Sequence, residues 1–147
     1  RVDTVDTGFL ETLIGYNARR AALTVIAEFL PRMAQYGLRP VEFSVMTLIV
    51  HNPGITSRQL SATLDILPPN LVGMVRQLEQ RGLIEKREHA SDRRAQGLHA
   101  TTAGQALQAQ AEQTASELEI DATPKLTATD RKTLIRLLRK IYAPGGT

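Results

Sequence analysis

The chain contains no cysteine. Disulfides, thiolate metal sites, a cysteine nucleophile and cysteine-based redox sensing are therefore excluded. Tryptophan is also absent, and only six residues are aromatic (three Tyr, three Phe). That is too few for the stacking platform on which proteins hold single-stranded nucleic acid. No apolar run approaches the ~18 residues that span a bilayer. The densest, Val45–Val50, is interrupted by Thr47. No signal-peptide pattern opens the chain, so a cytoplasmic location is expected. The chain begins at Arg1 rather than Met, so a few natural residues are expected to precede it. There is no Ser/His/Asp arrangement, no Gly-rich phosphate loop and no His-Glu-x-x-His, and an enzyme is not expected. His89 and His99, with Glu88 and Asp92, match no metal-ligand spacing, so neither a metal nor a cofactor is expected.

What is present is a chain of 147 residues, enough for one domain or one domain with appended helices. Its formal charge is only +3, but Arg outnumbers Lys 14 to 4. Arg suits planar, bidentate contact with nucleic acid. The charge is also uneven. Six basic residues face four acidic ones between Arg76 and Arg94, whereas Thr101 to Thr123 holds four acidic residues and no basic one. One side of the molecule is expected to attract phosphate.

Periodicity reads as mainly α with a small β-hairpin. A first helix is expected from about Gly8 to Tyr36, with Leu10, Leu13, Ile14, Ala21, Val25, Ile26 and Phe29 at helical spacing, Pro31 disturbing its end and Gly37 closing it. A second runs from Pro40 to His51. Thr56-x-x-Gln59 caps a third, which Asp65 ends. Pro68-Pro69-Asn70 opens a fourth, with Leu71, Val75 and Leu78 inward and Gly82 at its stop. The period then changes to two: Leu83–Glu88 and Ala95–Ala100 read as strands around a polar loop, Ala90–Arg94. A fifth helix, capped by Thr101, follows from Thr102 to Glu119, then a break at Asp121–Pro124, and a sixth capped by Thr127 and carrying Leu134, Ile135, Leu137, Leu138 and Ile141.

Helices three and four with the hairpin form a winged helix-turn-helix. The outward face of helix four is Asn70, Val72, Gly73, Arg76 and Gln77. Asn and Gln bond adenine bidentately, Arg bonds guanine, and Val72 suits a thymine methyl, while Gly73 allows close backbone approach. Arg58 on helix three is placed to hold phosphate. Asp92, Arg93 and Arg94 sit at the hairpin tip, where arginines reach a narrowed minor groove. The bland alternative is a solvated polar surface on a winged-helix module that binds protein and not DNA.

Gly82-Leu83-Ile84-Glu85-Lys86-Arg87, then Asp92-Arg93-Arg94-Ala95, then Leu98-x-x-Thr101-x-x-Gly104 resembles the MarR (multiple antibiotic resistance regulator) family. Leu78–Leu83 resembles that family's recognition-helix end, and Leu126-Thr127-x-x-Asp130-x-x-x-Leu134-x-x-Leu137-Leu138 its last helix. The resemblance extends from helix one to Tyr142. It implies a homodimeric repressor on a palindromic operator, with Arg94 in the minor groove and Asp92 orienting it. It implies an N-terminal dimerisation helix with the effector pocket (1–36), a winged helix-turn-helix DNA-binding unit (37–101) and C-terminal dimerisation helices (102–147). Two positions depart from the pattern: Gly73 replaces a basic or hydroxyl residue, and Gly97 replaces a β-branched one.

The implied pocket lies between helices one, two and five. Asn17, Arg20, Phe43, Met46 and His51 are the residues expected there, taking a small aromatic acid. Phe43 and Met46 would pack on the ring, Arg20 or His51 would hold the carboxylate, and Asn17 a ring substituent. The three polar residues have plainer alternatives: a structural hydrogen bond or dimer contact for Asn17, a surface ion pair for Arg20, and a helix-dipole contact for His51.

Overall fold

The computed structural model describes residues 4–88 and 96–145. In chain order the elements are α1 (Ile14–Met33), α2 (Pro40–His51), α3 (Ser57–Leu64), α4 (Pro68–Gln80), β1 (Ile84–Glu88), β2 (Gln96–Ala100), α5 (Thr102–Ala122) and α6 (Ala128–Tyr142). Among the described residues, no helix is long and apolar enough to cross a membrane.

Local signals set most boundaries. At α3, Thr56 Oγ1 accepts from Gln59 N while Gln59 Oε1 accepts from Thr56 N, which closes a capping box. Asp65 ends that helix in the left-handed region (φ 53°), a conformation Asp tolerates better than most residues. Thr127 and Asp130 make the same reciprocal cap on α6.

Two ends differ from the sequence expectation. The first helix begins at Ile14, not Gly8, because Leu13 is extended and residues Leu10–Thr12 form a separate 3₁₀ turn. Asn17 Nδ2 stabilises that break by donating to the carbonyls of Glu11 and Leu13, both at 2.8 Å. At the other end of the molecule α5 continues through Asp121, whose carboxylate meets Arg32 at 2.5 Å. The expected break therefore starts only at Thr123, which donates its backbone N–H to Ile120 O.

The core gathers Met33, Val45, Met46, Ile49, Leu60, Leu71, Leu78, Leu98 and Leu118 from α1 to α5 and from the hairpin. α1 packs along α5, and Phe29 of α1 meets Phe43 of α2 edge-on with ring centres 5.8 Å apart. β1 and β2 pair antiparallel from Ile84↔Ala100 to Glu88↔Gln96. The α2–α3 turn closes on β2, with Gly54 N donating to Leu98 O and Leu98 N to Ile55 O. Gly97 is explained by this approach, since a Cβ there would lie 3.0 Å from the Gly54 backbone. No residue of α6 is buried. Its apolar stripe, with Val5, Phe9 and Ile14 at the other end of the chain, is left open to solvent.

Candidate nucleic-acid interface

α4 buries Leu71, Val75 and Leu78, three positions on one helical stripe, against the core. That rotation turns Asn70, Val72, Gly73, Arg76 and Gln77 outward, and all five are exposed as the sequence predicts. A Cβ placed on Gly73 would meet nothing within 4 Å, so this face is unobstructed. Arg58 is exposed in the first turn of α3. Among the described residues neither Arg58 nor Arg76 is held in an ion pair, which leaves both cations available.

The base of the wing is built differently. Lys86 pairs with Glu79 of α4 at 3.4 Å, and Arg87 with Glu85 beside it. These two cations are thus engaged within the chain. Asp92, Arg93 and Arg94 lie outside the described residues.

One contact was not foreseen from the sequence. Arg81, just past α4, donates from Nη1 to Gly37 O at 3.0 Å and from Nη2 to Tyr36 O at 2.6 Å. Its guanidinium fastens the end of α4 to the α1–α2 link. Nothing in local spacing marks this, because the partners lie more than 40 residues away.

Within one chain, the two largest apolar concavities described below do not gather the five residues expected around an effector. Asn17 lines a cleft of about 740 Å³ between α1, α5 and α6, with Ala21, Thr123, Arg131, Leu134 and Leu138. None of the other four lines it. Arg20 is exposed on the same helix. Phe43 is half-buried against Phe29, and Met46 is fully buried in the core. His51 is exposed at the far end of α2. The reason is where helices cross. α1 meets α2 near Phe29, and Asn17 is roughly 18 Å away along the axis at 1.5 Å per residue.

His51 instead ends a polar chain between α2 and α5. Its Nε2 lies 2.7 Å from Glu112 Oε2. Gln108 Nε2 donates to that same Glu112 oxygen at 2.9 Å and to Thr47 Oγ1 at 2.7 Å. The Gln108 bond, and then the His51 contact, hold the Glu112 carboxyl below the ordinary value of 4.5. The folded state therefore binds this proton less readily than the unfolded chain. The contribution is present above the unfolded value and is lost as pH falls through the lower folded one. Glu112 is partly exposed, so screening keeps the effect small. Glu112→Gln should lower the unfolding midpoint slightly at pH 7 and make it less sensitive to acidification below pH 4.5. Parallel acid-dependent slopes of both proteins in thermal melts would remove Glu112 from that role.

A second concavity, about 910 Å³, runs between α1, the start of α2 and α4. Ile26, Leu30, Leu38, Val41 and Met74 supply apolar wall, with Arg39, Glu42 and Gln77 as polar members. None of the sequence-predicted effector residues lines it. It was invisible to periodicity because three separate elements form it.

Comparisons with known proteins agree with this architecture. The model of the MarR family matches residues 38–95. A protein named as transcriptional regulator of the hcr operon in Thauera aromatica is 30% identical over 130 residues, 88% of this chain and 78% of that one. A solved structure of the transcriptional repressor CouR bound to a 23-mer DNA duplex has a TM-score of 0.87 and 37% identity, covering 95% of this chain and 99% of that one. CouR bound to p-coumaroyl-CoA has a TM-score of 0.82 and 34% identity, covering 96% and 99%. The chain belongs to the MarR family and is a DNA-binding transcriptional regulator.

Proposed function

We propose that the dimer holds an imperfect palindrome and releases it when an aromatic acid, or the CoA thioester of one, enters the groove between α1, α2 and α4. One observation carries this reading: Met74 and Gln77 of the DNA-facing helix form part of that groove's wall. A ligand there presses on the element that must fit the operator. Release needs a ligand that prefers a dimer whose two α4 helices are misspaced, because equal affinity for both forms shifts nothing. The apolar wall suits an aromatic ring, and Arg39 suits the carboxylate of a free acid or a phosphate of the CoA thioester. The relative CouR, solved with DNA and with p-coumaroyl-CoA, supports the class of ligand.

On the DNA, Asn70, Val72, Gly73, Arg76 and Gln77 of each α4 enter a major groove, in half-sites about 34–36 Å apart. Arg58 holds phosphate. Arg94, aided by Arg93 and oriented by Asp92, occupies the adjacent minor groove. Residues 1–36 and 102–147 pair the two copies, and 37–101 bind the operator. The cleft beside Asn17 belongs to the pairing surfaces.

Arg94→Ala should weaken operator binding tenfold or more per half-site, the worth of one good groove contact (~1–3 kcal/mol). Asp92→Ala should weaken it less, and Arg76→Ala should shift base preference. Unchanged binding by Arg94→Ala would exclude the wing from the interface. For the effector, a duplex selected by the protein is titrated with benzoate, hydroxybenzoate and cinnamate as free acids and as CoA thioesters. At least one should release the wild-type protein. Leu30→Glu and Arg39→Ala should bind the duplex and resist release, whereas Asn17→Ala/His51→Ala should release normally. No release by any compound refutes the effector class. Normal release from Leu30→Glu refutes the groove.

A further inference from the structure

The DNA-facing helix begins with a surface that phosphate recognition does not explain. Helix starts commonly offer free backbone N–H groups to anions. Here the first two helical positions are Pro68 and Pro69, which have none. The next two donors, Asn70 N and Leu71 N, both point to Leu67 O, at 3.0 and 3.2 Å. The start of α4 is therefore poor in backbone donors, and its cap residue Leu67 accepts nothing through its side chain. What it presents is apolar. Leu67 is 70% exposed, Pro68 and Pro69 are exposed, and Val72, one turn on, is 51% exposed.

This tip is continuous with the outward face of α4, and it is the end of a recognition helix that meets base edges. The apolar group on a major-groove base edge is the thymine C5-methyl. We propose that Leu67, Pro68, Pro69 and Val72 form a thymine-methyl reader, so that each half-site is specified partly by apolar contact and not by hydrogen bonding alone. From Leu67 to Val72 the helix rises roughly 7.5 Å. That spans two to three base-pair steps, so thymines at neighbouring positions are expected. The inference rests on the DNA-binding reading of α4, and the experiment separates the two.

Duplexes are selected from a random library with the full-length dimer. The preferred duplex is then remade with uracil in place of each half-site thymine in turn. Uracil keeps the O4 acceptor and the base pairing and lacks only the methyl. Loss of each methyl that the tip covers should weaken binding roughly fourfold, the value of one buried methyl group. Leu67→Ala and Val72→Ala should bind the thymine duplex more weakly and lose the thymine–uracil difference at the position each covers. Both sites are solvent-exposed, so their unfolding midpoints should equal that of the wild type. Arg58→Ala, a phosphate contact, should weaken both duplexes alike. Equal wild-type affinity for thymine and uracil duplexes at every position overturns the reader and leaves DNA binding intact. So does full discrimination retained by Leu67→Ala and Val72→Ala together. Failure to select any duplex overturns the DNA-binding reading and the reader with it.

Discussion

Leu134→Glu/Leu138→Glu should sediment as a 16.2 kDa monomer and lose the two-half-site operator. The stripe Leu134, Ile135, Leu137, Leu138 and Ile141 runs along one side of α6, each residue between 39% and 65% exposed. A helix of 15 residues is marginal on its own in water, so its stability must come from packing that apolar side. Within one chain it has little to pack on, since none of its residues is buried. The second copy supplies that surface. Two carboxylates buried there without partners are each costly enough to shift the equilibrium to monomer. A monomer meets one half-site, so operator affinity should fall on the order of a thousandfold, toward non-specific binding. Helical content in α1–α5 should persist, which separates dissociation from unfolding. A dimer with wild-type operator affinity would exclude this face of α6 from the interface.

Gly104→Ala is expected to be the most damaging single methyl in the chain. A Cβ at Gly104 would lie 2.0 Å from the Leu83 carbonyl oxygen and 3.0 Å from its carbon. The Met46 side-chain end, at 2.9 Å, is able to turn away, but the carbonyl is held. Leu83 O accepts from Thr101 N at 3.0 Å, and Gly82 O accepts from Thr101 Oγ1 at 2.7 Å. Relief therefore requires moving the start of α5 off the turn between α4 and β1. Overpacking of this kind costs about 3 kcal/mol or more, a large part of a total stability of roughly 5–15 kcal/mol. The unfolding midpoint should drop by roughly 6–12 °C. Gly73→Ala is the matched control. Its Cβ meets nothing within 4 Å, and Ala is favoured over Gly in a helix by about 1 kcal/mol. That variant should melt higher. An unshifted midpoint for Gly104→Ala would show that α5 and the turn are not held at this distance.

Gly104 illustrates how far the sequence could be read. It stood in the motif Leu98-x-x-Thr101-x-x-Gly104, and Thr101 was legible as a cap because its partner, Gly104 N, is three residues away. The reason for glycine was not legible, since the atom it avoids is on Leu83, across the hairpin. Likewise Leu67, Pro68 and Pro69 read as a linker and a helix start. Only burial revealed that the linker residue projects as an apolar tip.

The sequence by itself determined the order of elements, the caps at Thr56, Thr101 and Thr127, the stop at Asp65 and the outward face of α4. These depend on neighbours within one helical turn, and a 3.6-residue period settles which side is buried once one apolar stripe is known. The tertiary structure decided which residues from different elements meet. It separated Asn17 from Phe43, Met46 and His51, joined His51 to Glu112, brought Arg81 to the Tyr36 and Gly37 carbonyls, and opened a groove walled by α1, α2 and α4. Periodicity specifies the facing of each helix about its own axis. It does not specify where along its length one helix crosses another, and a pocket is made by that crossing.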